Sequence, residues 1–321
     1  MKKILFVFNP MAGRGRIKSR LFDIVDTFVR CGYKVLVFPT QKKGDAASII
    51  ANEQEHYDLL VCAGGDGTLN EAVSGMMQSG NRVPIGLIPV GSMNDVGHSF
   101  KISRNIMNAV RDVITGRPYS MDIGKMNDQY FIYVAAFGAF TDISYTTSQK
   151  NKNVIGNLAY YLEGIKKLSD LKPKLVKIEY EDKVIEEEFL IGLVTNSLYI
   201  GGFKNLNYDK TSLCDGLFEL LLVKMPKNIL ELEMIISSLI NYKINENLMY
   251  YIQTPSVIIS SEKMDWTIDG EFGGVHERVE ITNYRKAIRI ISNSLHERQD
   301  NGKQERVGCC GSNEIGDSTK S

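Results

Sequence analysis

The chain has 321 residues, equal numbers of basic and acidic side chains (38 each), a hydrophobic fraction of 43% and a charged fraction of 24%. This length is sufficient for two domains, and the composition is that of an ordinary globular protein. The zero net charge gives no electrostatic reason to expect a nucleic-acid partner. Five cysteines without a CxxC pair and four scattered histidines favour a reduced, cytoplasmic protein without structural zinc.

The first third of the chain alternates short apolar runs with segments of helical periodicity. Strands are predicted at 4–8, 34–38, 59–63 and 85–90, and helices at 17–28, 46–55, 68–78 and 103–115. This alternation indicates a doubly wound parallel sheet, in which ligands bind beyond the carboxyl ends of the strands. The loops that follow the four strands, at Asn9, Thr40, Gly64 and Gly91, should therefore share one edge of the sheet.

After Asp122 the pattern changes to strands joined by short turns. Strands are predicted at 130–136, 175–180, 186–195, 217–224, 257–261 and 279–282, and helices at 154–169 and 228–241. Turn residues at 127–128 and 181–182 predict hairpins. We expect an α/β nucleotide-binding domain over 1–122 and a β-rich antiparallel sandwich domain over 123–295, whose last segment could pack back on the first. The polar stretch 296–321 is predicted to be a disordered tail.

The loop 64–68, Gly-Gly-Asp-Gly-Thr, is the strongest candidate for a phosphate site. Its glycines allow close backbone approach, and the following helix directs N–H groups at an anion. Asp66 would suit a bound cation. A plain glycine turn after a strand is the competing interpretation, because such turns are common in α/β folds.

Two neighbouring loops add groups that suit the same ligand. The loop 9–16 combines Gly13 and Gly15 with Arg14 and Arg16, and otherwise reads as a turn with a solvated basic helix end. The loop 91–95 supplies a hydroxyl, an amide and a carboxylate, and is equally typical of a helix N-cap. Both interpretations can hold together.

Two carboxylate-glycine turns occur in the second half, at 215–216 and at 269–271. Asp-Gly is more often a hairpin turn than a functional site. The Asp-Gly-Glu turn follows an aromatic-flanked strand, and a carboxylate against apolar neighbours has a raised pKa and can act as a general base.

Taken together, the segments 9–13, 64–71, 91–95 and 269–271 resemble the diacylglycerol kinase catalytic fold, and within it the bacterial soluble lipid kinases. Segments 122–124, 137–141 and 157–164 also resemble that branch, so that the resemblance covers about residues 1 to 292. Ser92 stands where the family usually has Thr, which keeps the hydroxyl. Glu163 stands where some relatives have a basic residue, and Lys166 or Lys167 is a candidate substitute.

The resemblance implies a nucleotide cleft between the two domains, with ATP and Mg²⁺ as cofactors. Glu271 would be the base that deprotonates the lipid hydroxyl, and Asp95 and Asp122 would belong to a supporting polar network. Asp66 would hold the catalytic Mg²⁺ through water, and a second Mg²⁺ would be bound by the Asp215 side chain with the carbonyls of Ser212 and Leu217. The implied ATP contacts are Asn9, Pro10, Met11, Ala12, Gly13, Thr40, Gly64, Gly65, Asp66, Gly67, Thr68, Leu69, Asn70 and Ser92.

The function that the resemblance implies is ATP-dependent phosphorylation of a lipid hydroxyl, with diacylglycerol converted to phosphatidic acid. An NAD kinase-like or other small-molecule kinase, and a non-catalytic nucleotide- or lipid-binding regulator, are the alternatives. The expected partner is a lipid alcohol met by transient contact at the inner membrane face, and assembly as a homodimer is left open. Lysines 150, 152, 166 and 167 would face either the bilayer or solvent.

Overall fold

The computed structural model describes residues 1–138, 162, 171–197, 199–200, 203–204, 211–241 and 243–293. The predicted helix at 154–169 (Leu162 excepted) and the predicted tail 296–321 lie outside the described residues. The same is true of Glu163 and of the four lysines considered for membrane contact.

The N-terminal third forms a parallel sheet with flanking helices. Its strands pair in the order β2-β1-β3-β4, and its helices follow them along the chain. The strands are β1 (Lys3–Phe8), β2 (Lys34–Pro39), β3 (Leu59–Gly64) and β4 (Ile85–Pro89), and the helices are α1 (Leu21–Arg30), α2 (Asp45–Asn52), α3 (Asp66–Ser79), α4 (Asp95–Ser99) and α5 (Ile106–Thr115). The predicted strands and long helices are confirmed to within a few residues. Helix α1 begins later than predicted because 12–15 and 18–20 form 3-10 turns.

The rest of the described chain is mostly antiparallel. The strands are β5 (Arg117–Met126), β6 (Gln129–Phe131), β7 (Val134–Gly138), β8 (Lys174–Tyr180), β9 (Lys183–Thr195), β10 (Tyr199–Ile200), β11 (Phe203–Lys204), β12 (Phe218–Lys224), β13 (Met249–Thr254), β14 (Ser256–Ile268) and β15 (Glu271–Ser292), with helix α6 (Ile229–Ile240) after β12. The predicted hairpins at 127–128 and 181–182 are confirmed, since Asn127 and Glu181 have left-handed φ angles of 50° and 48° between paired strands.

Strand β15 joins the two kinds of sheet. It pairs antiparallel with β14 and β5, and at Ile290 it lies parallel to Ile85 of β4. The result is one continuous 13-stranded sheet in a mixed α/β fold. Strand β5 runs without interruption through position 122, where the sequence predicted a domain boundary.

Two groups of buried apolar side chains stabilise this sheet. The larger extends from the parallel strands to the inward face of α6 and one face of β9 and β12. The smaller fills the space between the antiparallel strands, around Trp266, Phe137 and Phe218. Together they leave the carboxyl edge of the parallel strands open, and the first residues of β15 lie beside that edge.

Candidate active site

A cleft of about 1090 Å³ lies at the carboxyl ends of the parallel strands. The loops after β1, β2, β3 and β4 form its walls, and the beginning of β15 closes one side. The sequence prediction that these loops share an edge is therefore confirmed. The predicted site residues that line the cleft are Asn9, Met11, Ala12, Gly13, Thr40, Gly65, Gly67, Thr68, Ser92 and Glu271.

Glycines allow the loops to approach one another closely. Gly13 has a left-handed φ of 58°, and a Cβ there would overlap the carbonyl oxygen of Val90. A Cβ on Gly91 would lie 2.5 Å from Cα of Gly65. Side chains at these positions would push the β1, β3 and β4 loops apart and open the cleft floor.

Asp66 is the first residue of α3, and its carboxylate is turned towards α4. Its Oδ2 accepts a hydrogen bond of 2.8 Å from the main-chain N–H of Asn94, and the N–H groups of Asp95 and Val96 also donate to the carboxylate. Burial raises the pKa of this carboxyl, and these N–H groups partly offset the rise. Asp66 therefore joins the β3 loop to α4 behind the cleft wall.

Several other predicted contact residues also lie outside the cleft lining. Asp95 is buried at the first turn of α4, and the side chain of Leu69 packs in the hydrophobic core. Pro10 and Gly64 belong to the loop and strand behind the lining, and Asn70 points towards β15. A side-chain contact between Leu69 and a nucleotide is excluded, because its apolar neighbours surround it.

Glu271 begins β15 and projects over the start of α3. Its Oε2 forms an ion pair with Nζ of Lys43, and its Oε1 lies 3.5 Å from the point where a Cβ on Gly67 would stand. The hydrogen bond and negative charge of Glu271 raise the pKa of Lys43. The Glu271 side chain is half exposed, at 50%. A carboxylate thus faces the cleft next to the amino end of a helix.

Asp269, two residues earlier, lies in a very different environment. Oδ1 accepts from the N–H groups of Tyr133 and Val134, both at 3.0 Å, and Oδ2 accepts from the N–H of Ile132 at 2.8 Å. The side-chain amide of Asn70 also donates to Oδ2, at 2.5 Å. Burial raises the pKa of Asp269 to about 6 despite these donors. The carboxylate enclosed by apolar neighbours is therefore Asp269, and its occupied oxygens suit a structural role.

Comparison with known proteins agrees with this geometry. The family model described as the diacylglycerol kinase catalytic domain matches residues 3–126. A diacylglycerol kinase from Bacillus subtilis (strain 168) is 35% identical over 94% of this chain and 100% of its own length. A diacylglycerol kinase from Staphylococcus carnosus (strain TM300) is 39% identical over 85% of this chain and 90% of its own. The chain belongs to the diacylglycerol kinase family.

A solved structure supports the fold. The crystal structure of a diacylglycerol kinase from Bacillus anthracis str. Sterne superposes with a TM-score of 0.72 at 23% identity, covering 92% of this chain and 98% of that chain. The resemblance stated from the sequence is confirmed, and the protein is a lipid kinase. Membership of a kinase family implies ATP as the phosphoryl donor.

Two residues of this kinase, Lys43 and Glu71, were not identified from the sequence as site residues. Lys43 lies in the loop after β2 and lines the cleft. The sequence signal that could have identified it is the pair of lysines, Lys42 and Lys43, shortly after a predicted strand. Glu71 of α3 accepts hydrogen bonds from the N–H groups of Gly44, at 2.8 Å, and Ala46, at 3.2 Å. The Glu71 carboxylate thereby fixes the loop that carries Lys43.

The predicted second metal position lies outside the cleft lining of the kinase. Oδ1 of Asp215 accepts from the N–H of Leu217 at 3.0 Å, and the carboxylate of Asp122 accepts from Gly216 and Lys286, both at 2.6 Å. Burial, with the nearby Asp215, raises the pKa of Glu219 to about 8. Within the part of the chain that the structure describes, no three His, Cys, Asp or Glu side chains are arranged to hold a metal.

No helix among the described residues has the length and apolar character needed to cross a membrane.

Proposed function

We propose that this kinase transfers the γ-phosphate of ATP to the free hydroxyl of diacylglycerol and releases phosphatidic acid. The observation that carries the proposal is the position of Glu271, which projects into the cleft beside Gly67 at the amino end of α3. A phosphate bound at that helix end would lie next to a carboxylate able to accept a proton. The two relatives described above are diacylglycerol kinases, which supports diacylglycerol as the acceptor.

ATP would bind along the glycine loops. Main-chain N–H groups at the start of α3 and in the loop 9–13 suit the phosphates, and the hydroxyls of Thr40 and Ser92 line the same cleft. Arg14 and Arg16 add positive charge to the lining. The cleft would separate a nucleotide-binding domain over 1–122 from a lipid-binding domain over 123–295.

Glu271 would act as the general base. The acceptor hydroxyl oxygen forms a bond to the γ-phosphorus, the bond from that phosphorus to the β–γ bridging oxygen breaks, and ADP leaves. The hydroxyl proton passes to the Glu271 carboxylate, which contributes ~10²–10⁴-fold to such reactions. Lys43 holds this carboxylate in the cleft and adds a cation beside the reacting phosphate.

The residues of the cleft are better placed to bind Mg²⁺ through bridging water molecules than to coordinate it directly. The Asp66 carboxylate accepts main-chain N–H groups, so a metal in the cleft would reach it through a bridging water. At the second position, the Asp215 carboxylate would act with the main-chain carbonyls that the resemblance implies, those of Ser212 and Leu217, and Oε2 of the nearby Glu219 is buried without a hydrogen-bond partner. Bound Mg²⁺ supplies charge neutralisation for the transferred phosphoryl group.

The test is transfer of labelled phosphate from ATP in three parallel reactions: with diacylglycerol in detergent micelles, with NAD, and with no acceptor. We expect labelled phosphatidic acid only in the first. Labelled NADP would indicate the small-molecule kinase, and no acceptor-dependent label would indicate a non-catalytic binder.

The same assay tests the base. Glu271→Gln keeps the size of the side chain and removes its basicity, so kcat should fall ~10²-fold or more while ATP affinity changes little. Glu277→Gln, an exposed carboxylate on the same strand, is the matched control and should leave kcat unchanged. Wild-type turnover in Glu271→Gln would place the base elsewhere.

Diacylglycerol is a membrane lipid, so the enzyme would meet its substrate by transient contact at the inner membrane face.

A further inference from the structure

Helix α6 is apolar on both of its faces. Leu232, Ile235 and Leu239 are buried against the sheet. On the outward face Leu230 is 70% exposed, and three more large apolar side chains, Ile229, Met234 and Ile240, are about half exposed. A helix at the surface of a globular protein normally presents a polar outward face to water. This outward face therefore suits an apolar environment.

The charges around α6 fit a membrane surface. The outward face carries one exposed carboxylate, Glu233, and an exposed lysine stands just beyond each end of the helix, Lys227 and Lys243. Long lysine side chains at helix ends can reach lipid headgroups while the apolar face enters the acyl boundary. The hydrogen bond from the N–H of Glu231 to the Asn228 side chain caps the first turn and keeps this helix formed.

A groove of about 460 Å³, with one apolar wall, runs along α6. Leu162, Ile229, Ile236 and Ile240 supply most of its apolar wall. Glu233, Ser237 and Asn241 line its other side. Its volume is within the range of small-molecule sites, and its apolar wall suits an acyl chain.

The strand register connects α6 to the cleft. Leu221 of β12 pairs with Leu193 of β9, Leu193 with Ala136 of β7, and Ala136 with Thr267 of β14. Cross-strand partners point to one face of a sheet, and Leu193 and Leu221 share the core that includes the inward side chains of α6. Three strand spacings separate β12 from β14, roughly 15 Å. Helix α6 therefore packs on the sheet face towards which Thr267 points, one residue before Ile268, the cross-strand partner of Glu271.

We propose that the outward face of α6, formed by Ile229, Leu230, Met234 and Ile240, docks on a lipid bilayer and admits a diacylglycerol acyl chain to the adjoining groove. The inference rests on the proposed function, since a kinase of diacylglycerol must reach a substrate dissolved in a membrane.

The experiment measures cosedimentation of the purified protein with phosphatidylcholine vesicles that contain diacylglycerol, with and without phosphatidylglycerol, in the absence of ATP. The variant Leu230→Gln/Met234→Gln should bind at least ~10-fold more weakly, because two large apolar side chains no longer enter the lipid. Phe22→Gln is the matched control, because it removes an 80% exposed aromatic ring from a different helix, α1. This variant should bind vesicles as wild type does. Leu230→Gln alone provides the measurement if the double variant does not fold.

Three results would overturn the proposal: no vesicle binding by wild type, equal binding by wild type and the α6 variant, or conversion of a wild-type dimer to a monomer with vesicle binding unchanged. The last would show that α6 pairs with a second copy of the chain. Vesicle binding without phosphatidic acid formation would reject the proposed function and leave docking intact. Formation of phosphatidic acid, with equal vesicle binding by wild type and the α6 variant, would support the proposed function and reject docking by α6.

Discussion

Replacing Asp269 by Asn should destabilise the fold through lost hydrogen bonds. The carboxylate accepts three main-chain N–H groups and the Asn70 amide. Each carboxylate oxygen accepts two of these N–H groups. In the Asp269→Asn variant one oxygen is replaced by an NH₂ group, so two of the four donors lose their acceptor and face the N–H bonds of the new amide. At about 1.5–3 kcal/mol for each bond to a charged group, the free energy of unfolding should fall by about 3–6 kcal/mol. This is a large share of the ~5–15 kcal/mol typical of a domain.

The destabilisation should also depend on pH with a definite sign. Burial raises the pKa of Asp269 from 3.8 to about 6. A raised pKa means that the folded state binds the proton more tightly, so the stabilisation is fully present below pH 3.8 and is lost as pH rises through 6. Asn does not titrate. The difference in unfolding free energy between wild type and Asp269→Asn should therefore be larger at pH 5 than at pH 7, by about 1.3 kcal/mol.

Urea unfolding followed by the fluorescence of Trp266 provides the measurement. Trp266 is the single tryptophan, is fully buried and lies three residues from the substitution. Asp265→Asn, an exposed carboxylate on the same strand, serves as the control and should change stability little. A loss below about 1 kcal/mol at pH 7, or a loss that grows as pH rises from 5 to 7, would refute the reasoning. The second result would show that hydrogen bonding to the ionised carboxylate outweighs burial.

Lys43→Met should weaken ATP binding about fivefold, because the substitution removes a cation beside Glu271 from the cleft. Titration calorimetry with ATP checks this, with Lys34→Met, at the far end of β2, as the control. Equal ATP affinities of the two variants would exclude a contact between Lys43 and a phosphate. Gly13→Ala should lower ATP affinity at least ~10-fold. The new Cβ would overlap the carbonyl oxygen of Val90 across the cleft, and the alanine would have to adopt a left-handed φ. Gly15→Ala also adopts a left-handed φ, but its Cβ would make only an ordinary contact of 3.7 Å with the Pro10 carbonyl oxygen, so it should chiefly reduce the melting temperature. Equal losses of ATP affinity would mean that backbone strain, and not the contact, controls binding.

Local patterns in the sequence were sufficient to predict the strands of the parallel sheet and the loops that follow them. Buried strands of a parallel sheet are short apolar runs, and each of β1 to β4 ends at, or directly before, a Gly, Pro or Asn that marks the cleft edge. Strand β5 was missed because it is buried on both faces and contains Ser120 and Asp122, so it shows neither alternation nor a continuous apolar run. The full length of β15 was missed because its exposed positions are strongly polar.

The contacts that organise the site could not be derived from local patterns. Asn70 and Asp269 are 199 residues apart, and only the packing of α3 against the strands brings them together. The same holds for Lys43 and Glu271, which meet because Glu71 fixes one loop and Asp269 fixes the other.

Helix α3 fixes the distance between the bound phosphate and the base Glu271 in the proposed reaction. The first turn of α3 presents N–H groups to the cleft, and Asn70, at the start of the next turn, holds the carboxylate of Asp269, two residues before Glu271. A shift of α3 would move both together, so the separation between a bound γ-phosphate and Glu271 is preserved. Phosphoryl transfer requires reacting atoms about 3–3.5 Å apart, and a misplacement of 1 Å can cost ~10²-fold in rate. The Asn70–Asp269 contact is therefore the feature of this fold that most directly couples its stability to its activity.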